Sequence, residues 1–206
     1  MGIYVPRQRG AKSVFTDIQG RRQTVDFLHS EEGLYLDDGK ATGFLKPYAG
    51  GHYSFAALLP NEDVLIDDYI ASLTGIGLLN TIQNAQNTQV QTSMPKFEYE
   101  YTISMVDALK SLGMTDAFDM GRADFGRMAV MESGDSIFVS EVLHKTFISV
   151  DQRGTRAGAV TAVMIAVGAV PRQEIKVVRL DRPFVFAILD NATGLPLFLG
   201  TVQTAL

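Results

Sequence analysis

His29, His52 and His144 are the only imidazoles in this 206-residue chain, and it has no cysteine. Disulfides and thiol catalysis are therefore excluded, and the redox compartment is left undetermined. Gly134-Asp-Ser136 sets a serine beside an acid, as an activated nucleophile would need. The glycine frame of a nucleophile elbow is missing, however, and no base stands at a known spacing, so the tripeptide reads as a turn. Acidic pairs occur at Asp37-Asp38, Glu62-Asp63 and Asp67-Asp68. Metal or acid–base work would ask for a histidine or further carboxylates at ligand spacing; without them these are solvated loop and helix-start charges. Gly50-Gly51 and Gly75-x-Gly77 read as turn glycines, not as a phosphate cradle. No cofactor or metal is implied.

The most distinctive run lies elsewhere. Gly154-Thr-Arg-Ala-Gly-Ala-Val-Thr-Ala-Val-Met-Ile-Ala-Val-Gly168 is small, apolar and rich in β-branched residues. Read with period two, Thr155, Ala157, Ala159, Thr161, Val163, Ile165 and Val167 share one face. Arg156, Gly158, Val160, Ala162, Met164, Ala166 and Gly168 share the other. As an exposed edge this run would be an aggregation hazard, because apart from Arg156 it is uncharged and it contains no proline. Alternation of this kind describes any strand with one face against a core.

The elements around it are mixed. Gln23–Leu28 alternates as a strand, Tyr53–Leu59 reads as a buried one, and Asn87–Ser93 and Lys96–Tyr101 return to alternation. Asp67–Leu73, Gly77–Gln86 and Thr102–Leu112 are expected to be helical, and Val139–Val150 to form a long strand. Phe184–Leu189 and Leu195–Val202, separated by Asp190-Asn-Ala-Thr-Gly194, read as a buried β-hairpin, with Phe184, Phe186 and Phe198 in the core. Strands and helices are segregated rather than alternating, which indicates an α+β fold. A net charge of −5 offers no basic surface to nucleic acid. No run approaches about 20 apolar residues, so no membrane span is expected. The N-terminal residues contain no apolar segment of the kind an export signal needs.

The order of the C-terminal runs is similar to that of the serpins, the serine-protease inhibitors. Asp181-Arg-Pro-Phe-Val-Phe186 resembles the family's C-terminal signature and Pro196-Leu-Phe-Leu-Gly200 its closing strand. Gly154-Thr155 and the small residues after it resemble the hinge of the reactive-centre loop. Upstream, Met94-Pro-Lys-Phe97, Leu109-Lys-Ser-Leu-Gly-Met114, Asp116-Ala-Phe118, Ala123-Asp-Phe125, Ile137-Phe-Val-Ser140 and Val142-Leu-His-Lys-Thr-Phe-Ile-Ser-Val150 stand in family order. Phe55-Ala-Ala-Leu-Leu-Pro60 looks like a central strand of the second sheet. The likeness runs from about Phe15 to Val202 and covers only the family's C-terminal half. It implies a partial serpin domain over residues 1–206, with 1–14 an unmatched leader, 152–176 the exposed reactive-centre loop region and 177–206 the C-terminal strands of mixed sheets with short helices.

The function so implied is mechanical, not enzymatic. A serine protease attacks the loop and forms an acyl-enzyme. The loop's N-terminal side then inserts as a new strand into the main sheet and carries the protease with it. Serpin loop insertion is itself the type example of strand addition that releases stored strain. About 15 inserted residues at roughly 3.3 Å each would displace the protease by on the order of 50 Å. Gly154, Thr155, Ala157, Gly158, Ala159 and Thr161 are the implied hinge. Gln152, where the family generally has Glu, and Val160, larger than usual, depart from the pattern. Counting from Gln152 as the family does puts the reactive bond between Gly168 and Ala169. Ala166, Val167 and Val170 suit an elastase- or subtilisin-like pocket, with trypsin-like cleavage at Arg172 the runner-up. His144, inside an apolar strand, reads as a buried structural hydrogen-bond donor, and the resemblance gives it partners in the N-terminal half. An extracellular setting is implied. The alternative is a non-inhibitory serpin-like binding module or a truncated remnant.

Overall fold

The computed structural model describes residues 11–129, 136–151 and 174–205. They fall into two compact units, Met1–Phe97 with Val150–Leu206, and Glu98–Ser149.

The first unit is built on an eight-stranded sheet. Its strands are β1 (Ala11–Thr16), β2 (Arg22–Asp37), β3 (Ala41–Pro47), β4 (Tyr53–Pro60), β5 (Gln86–Pro95), and, after β6 (Phe97–Ser104) and β7 (Leu143–Val150) of a separate two-stranded sheet, β8 (Lys176–Arg179), β9 (Phe184–Asp190) and β10 (Pro196–Val202). The order is β10-β9-β4-β3-β2-β5-β8, with β1 also on β2. Phe27 pairs with both Ala11 and Pro95, and Leu34 with both Leu45 and Asn87, so β1 and β3 share one edge of β2 and β5 takes the other. Only β5 and β8 run parallel within this sheet.

The central pair β4 and β9 is covered on both faces, which is why each reads as a continuous apolar run rather than an alternating one. On one face Ala56, Leu58, Val185, Ala187 and Leu189 meet Ile66 and Tyr69 of α1 (Ile66–Ser72) and Leu78 of α2 (Gly75–Gln83). On the other, Phe55 stacks on Phe186 at 6.0 Å, and Phe97 meets Phe184 edge-on at 6.1 Å. Tyr69 is buried and donates its hydroxyl to the Asp38 carboxylate at 2.7 Å; burial first, then that charge, pushes the phenol well above its ordinary pKa. Asp37 and Asp38 also accept the backbone N–H groups of Gly39, Lys40 and Ala41, so this acidic pair shapes the β2–β3 turn.

Gly43 marks the closest approach between β3 and β4. A Cβ there would lie 1.9 Å from the Ala57 carbonyl oxygen, which is held in the ladder and cannot move aside. Gly43→Ala is therefore expected to cost about 3 kcal/mol or more. Gly33→Ala, which points into open space, serves as the control in denaturant titrations. Equal midpoints for the two variants would remove the argument.

Several boundaries differ from the sequence reading. Gly75 and Gly77 are not turn residues but the first turn of α2, where the Thr74 hydroxyl caps the helix by accepting the Gly77 N–H at 3.0 Å. Gly50 and Gly51 do turn the chain, with φ of 89° and 71°. Residues 102–104 continue β6 (Phe97–Ser104), since Thr102 and Ile103 are β-branched, and the helix α3 covers only Val106–Ser111. The strand expected over 139–150 is β7 (Leu143–Val150). Val139 instead gives its N–H to the Ala117 carbonyl at 2.9 Å, and the Val142 carbonyl takes the Met105 N–H at 2.8 Å. The C-terminal hairpin forms in the expected place, but only β9 is buried. Phe198 is 42 % exposed because β10 is the outer strand of the sheet.

Candidate functional site

In chain order the segment 152–173 follows β7 and precedes β8. Every residue named for its hinge, reactive bond and specificity lies within 152–173, outside the described residues: Gly154, Thr155, Ala157, Gly158, Ala159, Thr161, Ala166, Val167, Gly168, Ala169 and Val170. Most of Gly134-Asp-Ser136 lies outside them as well. What the structure provides is the geometry of the two anchors.

On the entering side, β7 pairs with β6 in a two-stranded sheet. Thr146, Ile148 and Val150 are half-buried and alternate with exposed Lys145, Phe147 and Ser149, the period-two signature of a strand with one preferred face. Lys145 and Glu100 form an ion pair across the two strands, but both are more than half exposed, so it contributes little. His144 is also exposed. The burial expected for it is not found among the described residues of this unit.

On the leaving side the anchor is firmer. β8 runs along β5 from Val90↔Lys176 to Ser93↔Arg179, and Val178 is buried. The Glu174 carbonyl accepts the Thr88 hydroxyl at 3.2 Å, and the Lys176 ammonium stands 5.6 Å from the centre of the Tyr35 ring. Burial, reinforced by the Asp37 charge, holds the Tyr35 hydroxyl above its ordinary pKa.

Two groups of residues lock the chain that follows. Arg182, from the Asp-Arg-Pro-Phe run, donates to the Pro60 carbonyl at 2.8 Å and pairs with Asp181, so it ties the start of β9 to the end of β4. Asp181 gives its carbonyl to the Thr16 N–H at 2.8 Å. Beyond β10, Thr204 and Ala205 bind the side-chain amide of Gln23, which also donates to Asp17. Burial pushes the Asp17 carboxyl up, but the Arg21 N–H and guanidinium and the Gln19 N–H outweigh it and keep the pKa below the ordinary value. Nothing in the sequence pointed to Gln23, since Thr204 and Ala205 lie far along the chain, whereas Asp17 is held by its near neighbours Gln19, Arg21 and Gln23. Arg182 could have been found, as a charged residue embedded between two apolar runs.

A family model described as serpin (serine protease inhibitor) matches residues 6–204. The chain belongs to the serpin family. The match reaches back into the segment 1–14, where the sequence alone offered nothing to align. An uncharacterised serpin-like protein of Thermococcus kodakarensis is 31% identical over 87% of this chain and 41% of its own length. Leukocyte elastase inhibitor A of Rattus norvegicus is 32% identical over 82% of this chain and 45% of its own. Among solved structures, the thermophilic serpin tengpin in its native state superposes with a TM-score of 0.82 at 50% identity. That alignment covers 98% of this chain and 52% of tengpin. The same protein in its latent state gives 0.75. The chain thus spans about half the length of the relatives it matches, in an α+β arrangement of mixed sheets and short helices. Among the described residues no helix is long and apolar enough to cross a membrane.

Proposed function

We propose that this chain supplies the bait loop, hinge and closing strands of a serpin that inhibits a serine protease as a suicide substrate, with the further length found in its relatives completing the fold. The observation that carries the reading is the unbroken family match over residues 6–204. It spans the small-residue run 154–168, which the chain order sets between β7 and the firmly anchored β8. In this reading Gly168-Ala169 is the bond attacked, and Gly154, Thr155, Ala157, Gly158, Ala159 and Thr161 enter the sheet as the leading end of the inserted strand. The chain contributes strain and geometry, and the protease contributes every catalytic group. His144 acts structurally, gaining its burial from the completed sheet. The setting is extracellular.

Ala166, Val167 and Val170 favour an elastase- or subtilisin-like target, and one relative is named for inhibiting an elastase. Incubation of the complete protein, with the further length its relatives have, with elastase is expected to give a covalent complex stable in SDS and a single cut within Ala166–Val170 by mass spectrometry. Cleavage confined to Arg172 would move the reactive bond and shift the target to a trypsin-like enzyme. Rapid cutting with no complex at any ratio would favour the non-inhibitory module instead.

A further inference from the structure

β2 and β3 pair only between Leu34↔Leu45 and Asp37↔Thr42. Past Leu45, β3 stays on β4 through Lys46↔Phe55 and Pro47↔Ser54, while β2 continues along β5. The two strands therefore part at Lys46. The β2–β5 register shifts at the same level, between Glu32 and Leu34. Where two strands part, no ladder hydrogen bonds hold their alignment, and a slip of one residue would turn every side chain to the opposite face.

A polar cluster occupies this opening. The Lys46 ammonium reaches back to Glu32, with side chains only 7% and 9% exposed, and donates to Ser30 Oγ at 3.0 Å. Ser30 Oγ donates to Glu32 as well. From β5, Thr92 Oγ1 lies 2.9 Å from Ser30 Oγ and donates to the Ser30 carbonyl at 3.0 Å. Thr92 is in turn the ladder partner of Val178 in β8. Three strands thus meet at one set of side chains, and the third carries the strand into which the 152–173 segment runs.

We infer that Lys46, Glu32, Ser30 and Thr92 form a register clamp that fixes β3, β2 and β5 at the splay and, through Thr92, holds β8 in a single register. A buried ion pair adds little net stability over an apolar pair of the same size, because desolvation offsets most of the attraction. Its effect is on the alternatives. In a slipped register, Lys46 and Glu32 would both be left charged and unpaired away from water. The clamp does not depend on the inhibitor reading, since it concerns only strand alignment.

Two variants test it by amide hydrogen exchange and heteronuclear NMR on the complete protein. Lys46→Met/Glu32→Leu replaces the pair by apolar groups of similar size and is expected to keep the wild-type unfolding midpoint. It is also expected to speed exchange at Thr92, Val178 and Arg179 by about tenfold relative to Ala187 in β9, with doubled resonances over Val90–Ser93. Thr92→Val leaves the ion pair intact, cuts its link to β8, and is expected to speed exchange at Val178 and Arg179 alone. Single resonances and wild-type exchange at these amides in the double variant would overturn the clamp. So would a uniform rise across β9 and β8, which is what simple loss of packing produces.

Discussion

Thr155→Arg, made in the complete protein, is expected to be cut and released by its protease instead of trapping it. In the proposed mechanism position 155 is the first inward-facing residue to enter the sheet, so its side chain must leave water between two strands. A threonine can do so; an unpaired guanidinium cannot without a cost of several kcal/mol. Each 1.4 kcal/mol added to the insertion barrier slows that step about tenfold, so about a hundredfold loss in trapping rate is a conservative expectation. Hydrolysis of the acyl-enzyme then wins the race, and active protease accumulates beside a cleaved loop. Arg156→Ala, on the outward face, should leave trapping unchanged. SDS gels and residual protease activity read both outcomes, and a Thr155→Arg protein that forms the covalent complex at wild-type yield would sink the hinge assignment.

The 206-residue polypeptide on its own should neither trap a protease nor stay monomeric. β10 is an outer strand; Leu195 just before it and Leu197, Phe198 and Leu199 along it are 61%, 54%, 42% and 56% exposed. A contiguous apolar strip on an open strand edge is a template for pairing with another chain. Size-exclusion chromatography is expected to show concentration-dependent dimers and larger species, reduced by the paired substitution Leu197→Lys and Leu199→Lys. Protease should digest the 152–173 segment without forming an SDS-stable adduct. A monomer that does form one would mean that this length suffices for inhibition.

The parts of the fold legible in the sequence were those whose local pattern and final environment agree. The apolar runs at Phe55–Pro60 and Phe184–Leu189 announced strands covered on both faces, and they are adjacent interior strands of the sheet. Failures came where a partner decided the outcome. The Pro-Leu-Phe-Leu run looked as apolar as β9, yet its neighbour on the far side is not among the described residues, so it stands exposed. Val139 and Ser140 have strand-like character, but a hydrogen bond to the 3-10 turn at Asp116–Phe118 takes them out of the ladder. His144 is exposed here, and the partners the resemblance gives it lie in the N-terminal half. Lys46 and Glu32 were invisible for the opposite reason. Two charges fourteen positions apart look solvated until a strand crossing brings them together.

Strand order also sets a timetable for synthesis. β4 has β3 beside it as soon as the two are made, but its other neighbour is β9, and the ladder joins Leu58 to Val185. A ribosome must therefore translate nearly the whole chain before the aromatic cluster of Phe55, Phe97, Phe184 and Phe186 can close. Until then the nascent polypeptide carries a strand open along one edge and lined with Phe55, Ala56, Leu58 and Leu59, and long-range closure of this kind is slow. A stop codon anywhere before Phe184 would release a protein lacking one half of its central strand pair, so late nonsense mutations should be as damaging as early ones.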